Sequence, residues 1–120
     1  MKTKLLIKAC LLFILLTGCG KDGGGAAGLF FPNFSNLWSS SRGTLFQFLP
    51  TATNVSKGDF TGDEDGNTFT GSFNNLDIQF TFSSGAENGV KYTGQFVKDS
   101  DPLTMKVKGT NNVELTIVKN

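Results

Sequence analysis

The chain of 120 residues has no histidine, two cysteines, three prolines and a single tryptophan. Without histidine, the His-assisted nucleophiles and the common histidine-bearing zinc sites are excluded. With only Cys10 and Cys19, a disulfide framework of the kind that staples small exported domains is excluded as well. No glycine-rich phosphate loop opens a helix after a strand. Carboxylate pairs such as Asp99 with Asp101 stand beside Lys98 in turn-forming sequence, where they read as solvated. No apolar run reaches the roughly 20 residues of a membrane-spanning helix. A net charge of +1 lacks the basic excess of a nucleic-acid binder. These absences set the expectation of a chain that is not an enzyme, carries no cofactor and binds no nucleic acid.

What is present begins at the N-terminus, MKTKLLIKACLLFILLTGC. Lys2, Lys4 and Lys8 form a positive region, and Ala9 to Leu16 are uninterrupted apolar residues. A charged start, a short apolar run and a small-residue exit describe a secretory signal peptide. The exit Leu16-Thr17-Gly18-Cys19 resembles the lipobox of bacterial lipoproteins. That resemblance implies a signal peptide over 1–18, cleavage between Gly18 and Cys19, and diacylglycerol on the Cys19 sulfur with further palmitate-like acylation of the new amino group. The thiolate is the nucleophile that takes the lipid. The alternative is ordinary cleavage that leaves Cys19 a free thiol. Cys10 falls in the removed segment under either reading.

Residues 19–28 would then be the lipidated cysteine and a tether, GKDGGGAAG after Cys19. Such a glycine-rich linker spans about 15–18 Å root-mean-square, which holds the following domain near the headgroups. In this family an Asp directly after the cysteine retains the protein in the inner membrane. Gly20 stands there, so the resemblance implies a lipid anchor in the outer membrane. Lys21-Asp22 resembles the start of a surface-export signal, and the face of the membrane is left open.

Residues 29–120 read as one β domain. Loss of Lys2, Lys4 and Lys8 from the 11 basic side chains leaves eight against ten acidic ones, a charge of −2. Phenylalanine is abundant, at twelve. Thr68–Phe73, Leu76–Phe82, Val90–Phe96, Leu103–Val107 and Val113–Ile117 alternate apolar and polar residues. A period of two predicts antiparallel strands with one dry and one wet face. Asn74-Asn75, the Asn88-Gly89 pair and Gly109 to Asn112 supply hairpin-turn chemistry. Phe69-Thr-Gly-Ser-Phe73 repeats as Tyr92-Thr-Gly-Gln-Phe96, and Asp59-Phe60-Thr61-Gly62 is a partial third copy. The shared glycine predicts a bend or close approach in a curled sheet. The expected fold is all-β, an antiparallel up-and-down meander of about six to eight strands, closing into a small barrel, half-barrel or sandwich.

Ahead of this meander, Thr44–Phe48 reads as the first strand, and Phe34, Leu37 and Trp38 have the spacing of one helical turn. A lone early tryptophan leading into a β-meander resembles the lipocalin pattern, although the residue two places before Trp38 is Asn36 rather than the usual glycine. The resemblance implies a tryptophan that plugs one barrel end and an interior for a small apolar or lipid ligand. Its candidate lining is Trp38, Phe46, Phe48, Phe69, Phe73, Phe80, Phe82, Tyr92 and Phe96; the same stripe also reads as core. The acidic stretch from Gly58 to Asn67 offers a calcium candidate, with Thr61 at loop position one, then Asp63, Asp65 and Gly66, and Ser72 at position twelve. A solvated hairpin turn is the other reading. Taken together, the sequence predicts a membrane-anchored envelope lipoprotein with a structural or protein-interaction role, or a lipocalin-like binder of an apolar ligand.

Overall fold

The computed structural model describes residues 29–120. The expected signal peptide, Gly18–Cys19 cleavage site and tether lie outside the described residues. From Leu37 onward the chain forms eight strands: β1 Leu37–Ser40, β2 Leu45–Pro50, β3 Lys57–Glu64, β4 Asn67–Asn74, β5 Asp77–Phe82, β6 Lys91–Phe96, β7 Thr104–Gly109 and β8 Glu114–Lys119. Each strand pairs antiparallel with its neighbour in sequence, and β8 pairs back onto β1 to close a barrel. The closing register joins Trp38 to Lys119, Ser39 to Val118 and Ser40 to Ile117. Closure leaves no sheet edge in the barrel wall.

The alternating pattern explains the layers. Phe46 and Phe48 of β2, Phe69 and Phe73 of β4, Ile78, Phe80 and Phe82 of β5, and Tyr92 and Phe96 of β6 all point inward and are buried. Thr68, Thr70, Lys91, Thr93, Gln95, Lys106 and Lys108 point outward and are exposed. A transmembrane barrel has the reverse order, an apolar outer band around a polar lumen. This barrel has its apolar layer inside.

An interior so rich in rings would hold the strands apart without relief. Gly62, Gly71 and Gly94, the repeat glycines, supply it. A Cβ at Gly71 would lie 2.1 Å from the Gln79 carbonyl oxygen and 2.7 Å from the Phe60 ring; at Gly94 it would lie 1.9 Å from the Lys106 carbonyl oxygen. The cross-strand neighbours of the first two include Phe69 for Gly62 and Phe80 for Gly71. Rings therefore lie over glycines, and the wall curls tightly enough to close.

Two expectations for the N-terminal part are corrected. Thr44–Phe48 is not the first strand, because β1 precedes it. β1 has only four residues, too few to show a period, and its place is set by pairing with β8. The segment Phe34–Trp38 is not a helical turn. Phe34 and Trp38 are buried and their rings meet at 6.3 Å, while Leu37 is 43% exposed on the outer wall. Asn36, with φ of 66°, turns the chain between them. Asparagine tolerates this left-handed conformation, as glycine does, so it serves at a position where a larger side chain would be strained.

Candidate functional site

The barrel has two differently built ends. At the Trp38 end lie the starts of β1, β3, β5 and β7 and the last residues of β2, β4, β6 and β8. Residues 29–36 run across it. The Phe30 N–H donates to Asn75 Oδ1 in the β4–β5 turn at 3.3 Å, and the Phe30 ring packs on Phe96 at 5.1 Å. Phe34 enters the barrel mouth and meets Phe48, Phe60, Phe73 and Phe96 at centroid distances of 5.2–5.8 Å. Trp38 is fully buried beneath it, with its indole N–H directed at the Phe34 carbonyl. Lys119 Nζ lies 5.8 Å from the Trp38 ring centroid and donates to the Ser35 carbonyl and hydroxyl. A crevice of about 270 Å³ remains between this segment and the β2–β3 loop, lined among others by Phe31, Pro32, Phe34, Pro50, Val55 and Phe73.

The opposite end is tied across by charge, beside a pocket of about 290 Å³ lined among others by Arg42, Glu64, Phe82 and Glu87. Arg42, the one arginine of the chain, stands in the β1–β2 turn. Its guanidinium makes a forked pair with Glu64, Nε to Oε2 at 2.8 Å and Nη2 to Oε1 at 2.7 Å. It makes a second with Glu87, at 3.1 and 3.0 Å. Glu64 is the inward-facing last residue of β3 and is 5% exposed. The Thr44 hydroxyl donates to it as well. Glu87, from the β5–β6 loop, accepts from the Tyr92 hydroxyl at 2.9 Å and from the Asn111 amide at 3.0 Å. Planar forked donation is the reason arginine rather than lysine suits this position. Hydrogen bonds donated to Glu64 and then to Glu87 hold the guanidinium well above its ordinary pKa. The bond from Arg42 holds the Glu87 carboxyl below its usual range, against the effect of burial. Burial, then the bond to Glu87, pushes the Tyr92 phenol up. Thus four chain segments, the β1–β2 turn, β3, the β5–β6 loop and the β7–β8 turn, are tied over one mouth.

Between the ends, all nine candidate lining residues come together in the interior, each at most 4% exposed. They pack on one another, with Phe69 and Phe80 at 4.8 Å and Phe80 stacked on Tyr92 at 5.5 Å. Phe60, absent from that set, completes the layer against Phe48, Phe69 and Phe73. The outer wall carries a separate open trough of about 870 Å³ across β3–β6, walled by side chains that include Asp59, Ser72 and Gln79 on one side and Lys57, Asn74 and Asp77 on the other.

The calcium candidate becomes a tight hairpin. Thr61 and Asp63 lie in β3, Ser72 lies in β4 opposite Asp59, and only Asp65 and Gly66 form the turn. Their φ values of 50° and 96° match a twisted two-residue hairpin turn. Asp63 accepts from the Gly66 N–H at 2.9 Å, and Asp65 accepts from the Leu45 N–H at 3.1 Å. The two carboxylates cap backbone donors, and the twelve-residue loop of the calcium pattern is drawn out as a ladder. Among the described residues, no three His, Cys, Asp or Glu side chains gather as a metal-holding group.

The signal for the Arg42 lattice was in the sequence only as a solitary arginine among lysines. Its partners Glu64, Glu87, Tyr92 and Asn111 are scattered over residues 64–111, and only closure brings them together. Fold and ends together define a small eight-stranded antiparallel barrel with an aromatic interior, a ring plug at one mouth and an ionic lattice at the other. The chain matches no family model, no curated protein and no solved structure.

Proposed function

We propose that this chain is a bacterial envelope lipoprotein, held by lipid on Cys19 in the outer membrane, whose barrel acts without catalysis as a structural or protein-interaction module. The observation that carries the reading is the ring-packed interior beneath two occupied mouths. Binding barrels keep an apolar space at that place, and here Phe34 and the lattice at Arg42 occupy the routes to it. The outer wall is then the working surface. Its exposed leucines, Leu37, Leu45 and Leu49, share the outward face of β1–β2, where Leu37 pairs with Gln47 and Leu45 with Ser39. An apolar strip in a polar wall is the kind of patch that a protein partner or a membrane surface covers. The leader and lipobox at 1–19 supply the anchor and the address.

The test is fractionation of the full chain and its Cys19→Ser variant in a bacterial host. Wild type is expected in the outer-membrane pellet at its lipidated mass, and the variant without the lipid mass. If the two co-fractionate with the same processed mass, the reading is wrong.

A second reading, lipocalin-like binding of a small apolar or lipid ligand, is favoured by the crevice beside Phe34. That side chain belongs to the chain's N-terminal segment, not to the barrel wall, so its withdrawal would admit a ligand at the Trp38 end.

A further inference from the structure

We propose that the Trp38 end of the barrel docks onto the lipid bilayer, so that the domain stands on the membrane in one orientation with the Arg42 end outward. The proposal rests on the lipid anchor at Cys19 argued above.

The large apolar side chains left in solvent are unevenly placed. Leu29 is 58% exposed, Phe31 52%, Leu49 51%, Leu37 43% and Val97 37%. Leu29 and Phe31 belong to the segment laid across the Trp38 end, as the contacts of Phe30 with Asn75 and Phe96 fix. Leu37 opens β1, Leu49 is the next-to-last residue of β2, and Val97 follows β6. All of these positions ring the same mouth. Leu45 alone among the large exposed apolar residues sits towards the other mouth.

Charge has the same polarity. Lys57, Lys98, Lys106 and Lys119 stand towards the Trp38 end with Asp59, Asp77, Asp99 and Asp101, and these side-chain charges cancel. The Arg42 end gathers Asp63, Glu64, Asp65, Glu87 and Glu114 against Arg42, Lys91 and Lys108. An anionic headgroup surface repels the second end and tolerates the first.

The chain itself says which surface the apolar ring meets. Leu29 is the first residue after the linker Gly20–Gly28. Nine residues reach at most about 30 Å. A lipid on Cys19 therefore keeps the apolar ring within about 30 Å of the bilayer at high effective concentration. Single contacts too weak to hold a free protein then suffice to orient a tethered one. Apolar side chains at such an interface enter about 5–10 Å, at the boundary of headgroups and acyl chains.

The test uses the full lipoprotein, extracted from membranes and reconstituted in vesicles of phosphatidylethanolamine and phosphatidylglycerol. Phe31→Cys, Leu49→Cys and Glu114→Cys variants each carry one environment-sensitive label. Intact mass first establishes that Cys19 bears lipid; without that mass the anchoring reading fails, and the docking proposal falls with it. With lipid present, brominated acyl chains are expected to quench the labels at 31 and 49 severalfold more than the label at 114. Equal quenching at all three positions, or none, would mean a barrel free on its tether and would overturn the proposal. A label at 31 that is blue-shifted but unquenched would place a second copy or another protein on this end, and would overturn it as well.

Discussion

Gly94 and Arg42 bear more on this barrel than their size or number suggest. Gly94 sits where a methyl group would collide with the Lys106 carbonyl oxygen and the Val107 backbone. These are backbone atoms in the neighbouring strand, so relief requires the strand pair to part. Gly94→Ala is expected to lower stability by about 1–3 kcal/mol, read as a lower midpoint in urea unfolding, whereas Thr70→Ala on the wet face should stay within about 0.5 kcal/mol. The repeat made this glycine legible in the sequence as a point of close approach. Arg42 was not legible in that way, because its three partners, Glu64, Glu87 and Tyr92, are distant in sequence and ordinary in kind. Arg42→Ala leaves Glu64 buried beside the aromatic core without its forked partner, at a cost of about 1–3 kcal/mol after allowance for the partly exposed guanidinium. The lattice also sets a pH dependence. Glu87 titrates below its ordinary range when folded. Its contribution is therefore complete above the unfolded value of about 4.3 and disappears as pH falls through the lower folded value. Glu87→Gln should be less stable than wild type at neutral pH, and its stability should fall less steeply below about pH 4.3, measured by denaturant titrations across that range.

At the scale of elements, five strands with a long alternating pattern were readable within one or two residues, β3 only in part because its acidic residues also read as a loop, and the segment from Leu29 to Ser40 was not readable. Its residues are placed by partners the sequence does not announce: Phe34 by the barrel mouth and β1 by β8. Their apparent helical spacing arises because Phe34 and Trp38 point into one interior from either side of the turn at Asn36. Residues 29–36 contribute a plug rather than a strand, and Phe34 is its centre. Phe34→Ala should cost about 3–5 kcal/mol if the mouth does not collapse. It also separates the two functional readings. An apolar dye such as 1-anilinonaphthalene-8-sulfonate should gain fluorescence with Phe34→Ala and not with wild type. Uptake by wild type at similar affinity would mean that the plug already opens, which favours the ligand-binding barrel.

For the whole molecule, the sequence conveyed the class, an all-β meander, and left closure open among barrel, half-barrel and sandwich, because the pairing of the first strand with the last depends on a four-residue β1 hidden in an aromatic stretch. Closure has two consequences. It removes the sheet edges through which a partner could add a strand, and it gathers the phenylalanines into one packed interior. On the proposed reading the surface carries the function: an apolar strip on β1–β2 that runs into the apolar ring at the Trp38 end, an acidic opposite end and an open trough across β3–β6. A membrane-held, ring-filled barrel is the central claim, and mass spectrometry of the full protein extracted from bacterial membranes tests it most directly. The account predicts a chain that starts at Cys19, carries diacylglycerol and acyl mass through denaturation, and has the same mass under native conditions. A chain without covalent lipid, or one that releases a reproducible small molecule on unfolding, would contradict it.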